Sequence, residues 1–63
     1  MASMEAEISY YRRRAAEEAD AAATAIDAQV RQIHLELRRQ YDQRIAILEA
    51  EMRRAQIHVV DAA

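Results

Sequence analysis

The residues in this sequence that could do chemistry are two histidines, three tyrosines, two serines and a set of carboxylates. Their spacing decides what is open to them. His34 and His58 lie 24 positions apart, whereas two ligands on one helix need a separation of four and further donors beside them. Leu35-Glu36-Leu37-Arg38 follows His34, so the His-Glu-x-x-His pattern is missing. A bundle di-iron site needs Glu three positions before His, but Arg31 precedes His34 and Ala55 precedes His58 at that distance. No metal site is expected. His34, beside Tyr41, reads as a half-buried interface histidine. The sharper alternative is a pH-sensitive packing site, because imidazole is the side chain whose charge responds to physiological pH.

Catalysis lacks its parts. Cysteine is absent, and Ser3 and Ser9 sit near one end with no histidine close by in sequence. With no glycine there is no loop to cradle phosphate. Acid–base work by Asp or Glu needs a pocket that excludes water, and so short a chain has little depth for one. No enzyme activity, catalytic residue or cofactor is expected. Tyr10, Tyr11 and Tyr41 with Arg12-Arg13-Arg14 could stack on single-stranded nucleic acid. Their core-like spacing and acidic neighbours favour packing instead. The same arginines could hold an anion, but Glu17, Glu18 and Asp20 cancel most of that field.

Behind these residues stands a helix-forming composition. The 63 residues include 15 alanines and nine arginines, with no glycine and no proline. Glycine costs about 1 and proline about 3 kcal/mol against alanine inside a helix. All nine basic residues are Arg, which matches a GC-rich genome. The net charge is −2 and the pI about 5.6, which does not point to nucleic acid as the main partner. No uncharged stretch exceeds six residues, against the roughly 20 a membrane span needs. Absent cysteine fits a reducing compartment, so a cytoplasmic location is expected. Met1-Ala2-Ser3-Met4 offers two methionines as a start, so residues 1–3 are set aside from the functional reading.

One apolar stripe organises the rest. Ile8, Tyr11, Ala15, Ala19, Ala22, Ile26, Val30, Ile33, Leu37, Tyr41, Ile45, Leu48, Met52, Ala55 and Val59 follow one another by three or four positions. The average step is about 3.6, one face of a nearly straight helix. Two all-α architectures fit: a two-helix antiparallel hairpin, or one rod of about 90 Å in a coiled-coil-like oligomer. Thr24-Ala25-Ile26-Asp27 favours the hairpin, because it resembles a capping box in which Asp27 could equally be the N-cap. No Gly or Asn supplies the usual left-handed C-cap, which counts against it. The hairpin is the better reading, with helix one over about 4–23, a turn over 24–26 and helix two over about 26–58.

Tyr10-Tyr11-Arg12-Arg13-Arg14-Ala15, an Ala/Glu run, Ile33-His34-Leu35-Glu36-Leu37 and Tyr41-Asp42 together resemble a group of short alphaproteobacterial helical-hairpin proteins. The likeness covers residues 10–45 and rests on low-complexity motifs. It implies a two-helix hairpin broken near residues 24–27, and it implies no activity. After Ile45 the second helix runs longer than in that group.

Hairpin geometry then sets partners. The expected intrachain packing residues are Ile8, Tyr11, Ala15, Ala19, Val30, His34, Leu37 and Tyr41, paired as Ile8–Tyr41, Tyr11–Leu37, Ala15–His34 and Ala19–Val30. Helix one would run out opposite residue 45, leaving Ile45, Leu48, Met52, Ala55 and Val59 without intrachain cover, with Ile47, Ile57 and Val60 beside them. A second copy would cover them, giving a homodimeric four-helix bundle. Arg13–Glu17, Arg14–Glu18, Asp27–Arg31, Arg38–Asp42 and Glu49–Arg53 are four apart on the solvated face. The expected function is a small structural or adaptor module that binds itself and, through the dimer, another protein, without membrane or nucleic acid. The alternative is an antitoxin-like transcriptional regulator whose helical dimer touches DNA through arginines. A chain that is acidic overall argues against it.

Overall fold

The computed structural model describes the backbone of residues 3–62 and the side chains of residues 3–56. It is all-helical. Helix α1 spans Met4–Thr24 and α2 spans Ala28–Ala62, and the two pack against each other. The molecule measures 55 × 18 × 15 Å. Its long dimension is close to that of α2 alone, about 52 Å at 1.5 Å per residue.

Caps set the helix ends. The Ala6 N–H donates to Ser3 Oγ at 3.0 Å, so Ser3 is the N-cap of α1. Residues 1–3, set aside from the functional reading, therefore supply an acceptor for one of the four N–H donors that a helix start leaves unpaired. At the other end Thr24 does not open α2. Its hydroxyl donates back to the Asp20 and Ala21 carbonyls at 3.1 and 3.3 Å, inside α1. Asp27 is the cap of α2: its Oδ1 accepts from the Gln29 and Val30 N–H groups at 2.7 and 3.2 Å.

Among the described residues no φ is positive. The chain leaves α1 through an extended Ala25, at φ −69° and ψ 128°, whose N–H donates to the Ala22 carbonyl at 3.4 Å. The Arg31 guanidinium then donates to the Ala25 carbonyl at 3.1 Å. Three residues in ordinary backbone regions make the reversal, so the missing glycine is no obstacle.

Because α2 starts at residue 28 and not 26, the pairing moves along it. Tyr11 meets Tyr41, with ring centroids 5.9 Å apart, in place of Leu37. His34 meets Glu18 in place of Ala15. The shift is roughly one helical turn, and it carries α1 further along α2 than residue 45. Ile8, Ser9 and Arg12 line a shallow cleft with Glu49 and Met52. Leu48 is 3% exposed within a single chain, so the argument that it needs a second chain for cover is corrected. Ile45 and Met52 are half-buried, Ala55 is exposed, and the Val59 side chain lies outside those described. At the turn end the correction runs the other way: Val30 and Ile33 are exposed, and Ile26, in the linker, is 99% exposed.

The interior is a narrow seam. Its buried apolar residues among those described are Ile8, Ala15, Ala22 and Leu48. At a fixed protein concentration, Leu48→Ala is expected to cost about 2–5 kcal/mol and Asp27→Ala about 1 kcal/mol in urea unfolding. Thr24→Ala, which touches only its own helix, should change stability by less than Asp27→Ala.

Candidate functional site

A charged group is buried in this seam. Glu18 is 7% exposed and lies between Ala15 and Ala22 on the buried face of α1. Both of its oxygens are taken. Oε1 stands 2.6 Å from His34 Nδ1 across the helix pair, and Oε2 accepts from the Arg14 guanidinium at 3.0 Å. An ionised carboxylate can only accept, so Nδ1 is the ring atom that faces Glu18, and the His34 side chain is half-exposed.

Arg14 is itself held by its neighbours. It donates to Glu17 at 2.6 Å, and its Cζ lies 5.5 Å from the centre of the Tyr41 ring. Tyr41 first, then Glu17, raises the Arg14 pKa above its ordinary value. The group is a permanent cation. Tyr41 stacks on Tyr11, Tyr11 meets Tyr10 edge-on at 5.3 Å, and Arg13 covers Tyr10 at 5.5 Å. The tyrosines and arginines at residues 10–14 thus form one layered cluster with α2, with Glu18–His34 as its buried polar link.

Several ion pairs differ from the four-apart pattern. Arg14–Glu18 and Arg38–Asp42 form. Arg13 turns to Tyr10 instead of Glu17, and Arg31 bonds the Ala25 carbonyl while Asp27 caps α2. Glu49 reaches across to Arg12 at 2.5 Å instead of along its own helix to Arg53. Cross-helix geometry offers Glu49 a partner that periodicity within α2 does not show.

Of the expected packing residues, Ile8 and Ala15 are buried, and Tyr11, Ala19, His34, Leu37 and Tyr41 are half-buried, while Val30 is exposed. Glu18 is the residue that sequence reasoning missed. The signal was present: Ile8, Tyr11, Ala15, Glu18 and Ala22 alternate steps of three and four strictly, the pattern of a helix–helix seam, whereas Ala19 in that place gives 3, 4, 4, 3. Ala19 was preferred because it is apolar.

A Glu–His pair can orient an imidazole, but no hydroxyl or thiol nucleophile is hydrogen-bonded to His34 among the described residues. Nor does any group of three or more His, Asp or Glu among them stand close enough to hold a metal ion. No described helix is long and apolar enough to cross a membrane. What the arrangement can do is fix how the helices meet, since a buried polar pair penalises any register that separates its members. Comparison with protein families, with curated proteins and with solved structures finds no match to this chain.

Each of Glu18→Ala and His34→Ala is expected to lower stability by about 1–3 kcal/mol. The double-mutant cycle should return a coupling above about 1 kcal/mol. The exposed Arg12–Glu49 pair should give no more than about 1 kcal/mol in the same measurement. Equal couplings for the two pairs would show that burial adds nothing to the Glu18–His34 contact.

Proposed function

We propose that this protein is a small structural or adaptor module that works as a homo-oligomeric helical bundle. The observation that carries the reading is the surface the single hairpin leaves in water. It exposes 5058 Å², whereas a compact monomer of its mass exposes about 4,100 Å². Its radius of gyration is 15.5 Å, against about 11 Å for a compact domain of this length. The excess of roughly 900 Å² is about one partner's share of a standard protein interface.

The exposed residues support the same reading. Tyr10, Ile26, Val30, Ile33, Leu35 and Ile47 are large apolar side chains on a hairpin whose buried apolar residues include two alanines. Each large aliphatic side chain contributes about 1.5–3 kcal/mol when buried, so association offers more than the hairpin obtains alone. The arginines give the regulator reading less support: the cluster at residues 12–14 is matched with carboxylates and a tyrosine ring, as are Arg38 and Arg39 with carboxylates, which leaves Arg44, Arg53 and Arg54 without a side-chain partner among the described residues.

The test is sedimentation together with thermal melting over a range of concentrations. A dimer at micromolar concentration, with a melting temperature that rises with concentration, is the expected result. A folded monomer with concentration-independent melting would overturn the proposal. Retention on random duplex DNA at about 50 mM salt, lost as salt rises, would move the reading to the regulator.

A further inference from the structure

We infer that the flank of α2 centred on Gln40 is the surface on which a second copy of this chain docks, antiparallel, with a twofold axis passing beside Gln40. The inference rests on the homo-oligomer reading above and adds the face, the direction and the register. At about 100° per residue, this flank lies about a quarter of a turn round α2 from the side that carries Leu48 and Tyr41 toward α1. Both contacts can therefore be made at once. Ile33 and Ile47, 58% and 49% exposed, lie seven residues on either side of Gln40 along it, two heptad steps on one face.

Reversing a second copy about Gln40 puts Ile33 of each chain against Ile47 of the other. The charges follow the same symmetry. Glu36 and Arg44 lie four residues on either side of Gln40 and opposite in sign, so the reversed copy brings each Glu36 beside an Arg44, twice per dimer. Arg44 has no ion-pair or hydrogen-bond partner in its own chain among the described residues, and Glu36 holds only its neighbour Arg39 at 3.3 Å. A parallel copy in register would lose this matching, because it sets each residue level with its own equivalent.

The absence of native cysteine makes the test direct. Three samples are oxidised under mild conditions and run on a non-reducing gel, beside sedimentation of the unaltered protein: Gln40→Cys alone, Ile33→Cys alone, and an equimolar mixture of Ile33→Cys with Ile47→Cys. All three positions are exposed in the hairpin, so the variants leave its interior intact. In the antiparallel pair Gln40→Cys should link to itself in most molecules, and the mixture should link across chains. Ile33→Cys alone should stay unlinked, since its equivalents are about 21 Å apart along the axis, beyond disulfide reach. Self-linking of Ile33→Cys would overturn the antiparallel direction. A dimer by sedimentation in which neither Gln40→Cys nor the mixture links would overturn the docking face and leave the homo-oligomer reading standing. A monomer by sedimentation would remove that reading and the inference with it.

Discussion

Two helices have one interface, and in this protein everything depends on how closely α1 and α2 approach along it. Ala15 and Ala22 set that distance on the α1 side, because a methyl group is the whole of what they place between the backbones. Larger residues at the far end, Ile8 and Leu48, fill the seam where the cleft begins. A carboxylate in such a seam is tolerable only when its hydrogen-bonding capacity is met. Arg14 from its own helix and His34 from the other meet it. The seam is thus closed by small residues and addressed by one polar contact.

A seam of that width cannot occupy all of α2. The long helix carries apolar residues on the side facing α1 and others, Ile33 and Ile47, on a flank that α1 does not reach. The elongated outline and the excess surface have the same origin: one helix is 21 residues and the other 35. A short helix can mask only part of a longer one, in length and around its circumference. In the proposed dimer, a second copy laid against the flank would complete the cover using residues the chain already has.

The helices themselves were legible from composition and period, as was the break near residues 24–27, which Asp27 marks by its capping chemistry. Register was not. Whether Thr24 or Asp27 begins α2 shifts every cross-helix pair, and both residues have side chains suited to the task; Thr24 bonds backward into α1 instead. That shift decides whether Leu48 is bare or covered. Glu18 was hidden for a different reason. A search for apolar positions passes over a charge, although Glu18 continues the alternation of three and four begun by Ile8, Tyr11 and Ala15 and Ala19 does not. Arg12–Glu49 could not be read from either helix alone, since it depends on how long side chains lean toward each other across the pair.

The reversal at residues 25–27 is made without any left-handed residue, so nothing in it requires the chain to fold back on itself. Ala25 is a strong helix former, and Ile26 and Asp27 cost only a fraction of a kcal/mol, up to about 0.7 each, inside a helix. Straightening the linker gives up the Asp27 cap, worth about 1 kcal/mol, and the bond from Arg31 to the Ala25 carbonyl. It also separates Glu18 from His34, but a neighbouring straightened chain can restore that contact by exchanging its α1. The backbone of the turn thus leaves open, on stereochemical grounds, closure of the same seam between two chains by a domain swap, which a rise in concentration would favour over closure within one.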